Sequence, residues 1–350
     1  MMKNRQPDGC REVLKLKIAI VTGASSGMGR EFALQIPQLY KNLDELWVVA
    51  RRTDRLKSLK EQVKIPVRIF DGDMQRDYIF EKLQRELDRR QADVRMLVNA
   101  AGYGKIGNVS DIDLKEQCGM VDLNCTALTR MTGICLPYLS KGSRIVNLAS
   151  AASFCAQPGF CVYAASKAYV LRFSQGLAAE LKKRGILVTA VCPGPVRTEF
   201  FDRAGALAAS EKEALCAEPE AVVTQALTDS VRGRRVSVYG AAMKGSRILS
   251  KILPDRLLVW GMMKINHADR QEQTTVRLLY WSTNRYEYED VRIDYKEELD
   301  AAFARMYYEK AYKNPNEAAD HMALVHPEMH AYLHVFSDGQ GAQMQVRENE

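Results

Sequence analysis

The stretch that most restricts the fold is LKIAIVTGASSGMG, residues 16–29. A β-branched apolar run passes directly into a glycine-rich turn, and the following MGREFALQIPQLYKNL has helical spacing. An apolar strand without polar alternation belongs in a sheet covered on both faces. The turn itself has the makings of a pyrophosphate cradle. Gly23 permits the tight turn, Gly27 lets backbone approach the phosphates, Gly29 lets helix and strand pack, and Ser25, Ser26 and Met28 complete the loop. The helix it opens supplies unpaired N–H groups and the positive end of a dipole. A plain Gly/Ser turn is the ordinary alternative, and the strand–turn–helix setting weighs against it.

The alternation continues down the chain. DELWVVAR (44–51), PVRIFDGDM (66–74), VRMLVNAAG, SRIVNLAS and ILVTAVCPG read as strands, with RLKSLKEQV and the periodic YIFEKLQRELDRRQ as helices between them. Apolar strands joined by helices imply a doubly wound α/β fold with a parallel sheet, a Rossmann fold. Residues 200–231 read as helices over the carboxyl ends of the strands, and RRVSVYG as one more strand. The segment at 240–265, GAAMKGSRILSKILPDRLLVWGMMKI, is amphipathic. Packing on the core or at a subunit interface is favoured for it over contact with a membrane surface or a hydrophobic substrate.

From residue 267 onward the composition shifts: all five histidines lie there and no cysteine does. YKEELDAAFARMYYEKAY and HPEMHAYLHVF are helix candidates, so the chain divides into an N-terminal segment 1–15, an α/β domain 16–266 and a mostly helical extension 267–350 of unknown role. His326, His330 and His334 would share one face of such a helix. No carboxylate or cysteine accompanies them in a ligand pattern, so a polar helix face is preferred to a metal site.

The charge balance, 50 Lys and Arg against 43 Asp and Glu, is mildly basic but mixed throughout, which gives no nucleic-acid face. None of the eight cysteines forms a C-x-x-C pair, and several sit in apolar runs. Free thiols in a reducing compartment are therefore expected rather than a zinc site or disulfide framework. The polar N-terminus has no apolar core of a leader, and no apolar run is long enough to span a bilayer, so a cytoplasmic protein is expected.

CVYAASKAYVLRFS, residues 161–174, places Tyr163 and Lys167 four apart on one helical face. A free phenol titrates near pH 10, and a neighbouring ammonium lowers that value enough for acid–base work. With the G-x-x-x-G-x-G turn, this pair resembles the short-chain dehydrogenase/reductase family. Four further motifs are similar to the family's: NAAG at Asn99–Gly102, with Ala100 in place of a second Asn; Asn124 in MVDLNCTAL; Ser150, 13 residues before Tyr163; and PGPVRT from Pro193 through Gly194 and Val196 to Thr198.

The resemblance implies an enzyme that interconverts a ketone and a secondary alcohol. In it Tyr163 is the general acid, Ser150 holds the substrate oxygen, and Lys167 activates Tyr163 and reaches the nicotinamide ribose. Asn124 orders a relay water. Asn99, Ala100, Gly102 and the Pro193–Thr198 loop line the cofactor, and Asp73 meets its adenine. The end of the second strand, VVARRTDRL, carries Arg51 and Arg52 and no carboxylate, which selects NADP(H) over NAD(H). The pattern from residue 219 to 265 is similar to the branch of 17β-hydroxysteroid dehydrogenases and long-chain 3-oxoacyl reductases. That implies a small hydrophobic ketone or alcohol, with Phe154, Phe160, Phe200 and Phe201 flanking the site. Reduction of 3-oxoacyl thioesters, or a dinucleotide-binding scaffold acting through the extension, are the alternatives. A homodimer or homotetramer is implied by analogy.

Overall fold

The computed structural model describes residues 15–204 and 216–266, and the strands at 273–282, 285–294, 321–325, 331–337 and 342–348. The N-terminal segment, up to residue 14, lies outside them. β1 (Leu16–Thr22) shows why the first motif folds as it does. Ile18 and Ile20 point into one core cluster and Ala19 and Val21 into another, and all four are fully buried. Side chains alternate across a strand, so an unbroken apolar run needs a covering layer on each face.

The same division holds in β2 (Glu45–Ala50), where Trp47 and Val49 join the first cluster and Leu46 and Val48 the second. With β3 (Val67–Asp71), β4 (Ala92–Asn99), β5 (Arg144–Leu148), β6 (Leu187–Val191) and the two-residue β7 (Val236–Ser237), these strands form a parallel sheet in the order β3-β2-β1-β4-β5-β6-β7. The order reverses between β1 and β4, and a crevice opens at the carboxyl ends there.

Helices cover both faces. α1 (Gly27–Leu39) follows β1 and α2 (Thr53–Gln62) follows β2. α3 (Asp77–Arg89) buries Ile79, Phe80, Leu83 and Leu87 along one stripe, as its periodicity requires. α4 (Leu114–Val121) starts at Asp113, whose carboxylate accepts the N–H groups of Lys115 and Glu116 at 2.8 and 3.3 Å. It runs through a π-helical turn, Asp122–Ala127, into α5 (Leu128–Cys135). α6 (Cys161–Glu180) is the helix of Tyr163 and Lys167, and α7 (Phe200–Ala204) and α8 (Pro219–Val231) follow β6.

The 240–265 segment forms two helices, α9 (Ala241–Ile252) and α10 (Asp255–Ile265), broken at Pro254. Packing on the core or at a subunit interface is the favoured reading for it, and of these the core contact is slight, made by Met243 of α9 against the cluster around Val170 and Cys192. Neither helix has a buried residue, and Ile248, Leu249, Ile252, Leu257 and Trp260 are exposed, while Ser246 and Ser250 donate to carbonyls of their own helix. Ile252→Ser is therefore expected to change stability by less than about 0.5 kcal/mol, against about 2–5 kcal/mol for Ile20→Ala. Chemical denaturation measures both, and a large loss for Ile252→Ser would mean that the face is covered.

The chain divides into two compact units, Met1–Ala268 and Asp269–Glu350. In the second, the described residues correct the helical expectation. They form antiparallel strands β8 (Gln273–Ser282), β9 (Arg285–Asp294), β10 (His321–Val325), β11 (Ala331–Ser337) and β12 (Ala342–Glu348), in the order β12-β11-β10-β8-β9. QTTVRLLYWS and AYLHVFS are rich in β-branched and aromatic residues, which favour the pleated conformation. His334 pairs in β11 with Ala323 and Gln345, so the three-histidine helical face is not formed. His326 and His330, and the helix candidate at 295–312, lie outside the described residues. Among the described residues no group of three or more His, Cys, Asp or Glu is placed to hold a metal ion. None of their helices is long and apolar enough to cross a membrane.

Candidate functional site

The glycine turn meets the NAAG segment backbone to backbone. Gly23 has a φ of +69°, a region that suits glycine, and a Cβ there would fall 2.8 Å from the Ala101 backbone. Its N–H donates to Val49 O at 2.8 Å, and Thr22 Oγ1 accepts the N–H groups of Ala100 and Ala101 at 3.1 and 3.2 Å. Ser26 caps α1 without a side-chain hydrogen bond, which leaves first-turn N–H groups open to an anion. Met28 packs on the second core cluster.

The Pro193–Thr198 loop lies over this turn, with the Thr198 side chain 3.3 Å from where a Gly27 Cβ would stand. Arg197 N–H donates to Ala217 O, and Ala217 N–H to Pro195 O, both at 3.0 Å, which fixes the backbone around Val196. Gly194 adjoins the Met243 side chain of α9.

Arg52 turns its Nε toward Ser25 Oγ (3.4 Å) and donates through Nη1 to Glu199 Oε2 at 2.8 Å. Arg55 Nη1 holds the other oxygen of Glu199 at 3.2 Å. Hydrogen bonding to Arg52 and the two nearby guanidinium charges hold the Glu199 carboxyl below the usual range. Arg51 is exposed. Two expected cofactor residues also make bonds within the protein. Asn99 turns its side chain into the sheet, donating to Asn147 Oδ1 at 2.9 Å and Thr132 Oγ1 at 3.2 Å. Asp73 Oδ1 accepts the N–H of Gln75 at 3.0 Å, the strand-end cap that a carboxylate there ordinarily makes.

Tyr163 is 7% exposed. Its ring stacks on Phe160, with centroids 4.2 Å apart, and tilts against Phe200 at 5.4 Å. Phe201 meets Phe200 edge-on, whereas Phe154 packs on a different cluster, around Val170 and Cys192. Burial pushes the Tyr163 phenol up to about 12, and a hydrogen bond with the Ser150 side chain pulls the other way. Ser150 also accepts the Ala152 N–H at 3.1 Å, where β5 ends.

Lys167 donates from Nζ to Leu148 O at 2.8 Å and stands 5.8 Å from the centre of the Tyr163 ring. Burial lowers its ammonium to about 8. The ammonium thus stands over the ring, and burial sets the direction of the Tyr163 shift.

Asn124 sits in the π-helical turn. Its Nδ2 donates to Tyr103 O and to Ser166 Oγ, both at 2.9 Å, and its Oδ1 accepts the Tyr103 N–H at 3.0 Å. A Cβ on Gly102 would fall 2.7 Å from Asn124 Oδ1 and 3.2 Å from Lys167 Nζ, so both side chains converge on the bare Cα of Gly102. Sequence reading did not single out Tyr103, Ser166 or Glu199. The first two carry no motif, and Glu199 meets Arg52 across 147 residues.

A family model described as short chain dehydrogenase matches residues 17–207. Sulfoacetaldehyde reductase 2 of Chromohalobacter salexigens is 35% identical over 52% of this chain and 74% of its own length. An uncharacterized oxidoreductase of Staphylococcus epidermidis is 30% identical over 54% of this chain and 82% of its own. Among solved structures, a short-chain dehydrogenase from Sphingobium yanoikuyae in complex with NADPH is 30% identical with a TM-score of 0.57, over 68% of this chain and 97% of that one. The bulky-bulky ketone specific alcohol dehydrogenase from Comamonas testosteroni is 26% identical with a TM-score of 0.55, over 71% and 93%.

Proposed function

The chain belongs to the short-chain dehydrogenase family, and from that premise we propose that it reduces a bulky hydrophobic ketone with NADP(H), with Tyr163 as general acid. The observation that carries this reading is the aromatic enclosure of Tyr163 by Phe160 and Phe200, with Tyr103 and Met120 in the same apolar cluster. Such a wall favours an apolar substituent beside the reacting carbonyl and disfavours a sulfonate, which needs cations or hydrogen-bond donors. The turn around Gly23 and the first turn of α1 fit a dinucleotide, and the guanidinium forks of Arg52 and Arg55 match a 2′-phosphate.

When bound, NADPH supplies the hydride that adds to the carbonyl carbon. The chain's own residues handle the proton. A phenol near 12 is fully protonated at neutral pH, so Tyr163 donates to the substrate oxygen while Ser150 hydrogen-bonds that oxygen. The phenolate left behind is a stronger base than the Lys167 amine, which titrates near 8, so proton return from Lys167 runs downhill. Asn124 holds the Tyr103 backbone and Ser166, and thereby the wall on which this exchange takes place.

NADPH oxidation measured with an oxo-steroid, a long-chain 3-oxoacyl thioester and sulfoacetaldehyde tests the substrate assignment. The expected order puts the two bulky ketones well ahead. Faster turnover of sulfoacetaldehyde would replace the apolar reading with that of the Chromohalobacter relatives.

A further inference from the structure

The second strand ends without a carboxylate, yet the fold brings one to the same place. Glu199 reaches across from the Pro193–Thr198 loop and bridges Arg52 and Arg55 at 2.8 and 3.2 Å. All three side chains are about half exposed, so the bridge forms in water-accessible space and exchanges readily for another anion. Its neighbour in sequence is Phe200, the ring that tilts against Tyr163. The short helix α7 is tied at its far end as well, where Ile106 N–H donates to Ala204 O at 2.8 Å. The segment that covers Tyr163 is therefore held at one end by Ala204 and at the other by Glu199.

We propose that Glu199 is an internal stand-in for the cofactor's 2′-phosphate: it pairs with Arg52 and Arg55 in the free protein, is displaced by a 2′-phosphate but not by a 2′-hydroxyl, and on displacement loosens the backbone of residues 198–204. This rests on the NADP(H) reading above. Like charges repel, so a phosphate and the Glu199 carboxylate do not share the two guanidinium groups without cost. A ribose 2′-OH carries no charge and leaves the bridge in place, accepting or donating a single hydrogen bond beside it. Glu199 thereby acts on two quantities at once: the discrimination between phosphorylated and unphosphorylated cofactor, and the mobility of the segment over the proton donor. It is a positioning residue, because it touches neither substrate nor the reacting atoms.

The test measures binding, not turnover. Dissociation constants for NADPH, NADH, adenosine 2′,5′-bisphosphate and 5′-AMP are compared by calorimetry in the full-length protein and in Glu199→Gln, which removes the charge and keeps the shape. The variant is expected to bind the two 2′-phosphorylated ligands about two- to ten-fold more tightly, the range that two exposed ion pairs on one carboxylate support, and the other two unchanged. Amide hydrogen exchange supplies the second readout. In the unsubstituted protein, exchange over residues 198–204 is expected to quicken with adenosine 2′,5′-bisphosphate and not with 5′-AMP, and Glu199→Gln is expected to show the fast exchange without ligand. Equal affinities in variant and parent, equal changes for all four ligands, or exchange indifferent to the 2′-phosphate would each overturn the role of Glu199. If NADPH itself failed to bind the parent protein, the cofactor reading would fall together with it, so the two failures are told apart by the parent's own titration.

Discussion

Tyr163→Phe is expected to cut NADPH-dependent ketone reduction by about 10²- to 10⁴-fold, the contribution of a positioned general acid. The substitution is clean in this fold because the ring makes the packing contacts. The stacks on Phe160 and Phe200 engage the aromatic face, and the phenol oxygen's partner is Ser150, which keeps its bond from the Ala152 N–H. NADPH affinity and thermal stability should therefore change little while kcat falls. Rapid-mixing measurement of the hydride step separates this from a defect in binding. Residual reduction within ten-fold of the parent would remove Tyr163 from the role of proton donor.

The pH profile carries the same argument further. Lys167 titrates near 8 instead of near its ordinary value because burial penalises its charge. Its ammonium form is present below that pH and is lost above it. If Lys167 returns the proton to Tyr163, reduction should be level at neutral pH and fall above about pH 8, approaching ten-fold per unit. Alcohol oxidation needs a deprotonated Tyr163, whose pKa near 12 makes that form scarce, so the reverse rate should keep climbing with pH. Lys167→Met should erase the break near pH 8 in the reduction profile. A break that survives in the variant belongs to another group.

The parts legible in the sequence are those fixed over a few residues. The run from Ile18 to Val21 demands two covering layers, the glycines of the following turn demand close backbone approach, and the spacing of Tyr163 and Lys167 places both on one face of α6. What the sequence does not carry is set by contacts between distant segments. The bridge from Glu199 to Arg52 closes over 147 residues, and neither residue's neighbours announce it. The state of Tyr163 depends on burial beside Phe160 and Phe200, against which the hydrogen bond with Ser150 pulls the other way. Spacing alone also misleads at His334: residues four apart share a face of a helix, but they equally share a face of a strand, and the aromatic and β-branched neighbours in AYLHVFS decide for the strand.

Gly29→Ala is expected to destabilise the α/β unit by about 2–3 kcal/mol, toward the upper end of overpacking costs, and to weaken NADPH binding at the same time. The added methyl would fall 2.3 Å from Gly23 O and 2.7 Å from Gly23 C, and those atoms have little room to retreat. Gly23 is itself pressed against the Ala101 backbone and bonded to Val49 O, so the strain passes into the turn that would hold the phosphates. For a unit of this size the loss corresponds to a fall in Tm of roughly 4–12 °C. Gly176→Ala in α6 is the control, because a Cβ there meets nothing within 4 Å and its helical backbone accepts alanine. Removing a mid-helix glycine should raise stability by about 0.5–1 kcal/mol. Two identical chemical changes thus have opposite expected signs, decided by the atoms each methyl meets. Thermal melts with and without NADPH check both, and a Gly29→Ala protein as stable as its parent would show that α1 and the turn can separate without loss, contrary to the packing described here.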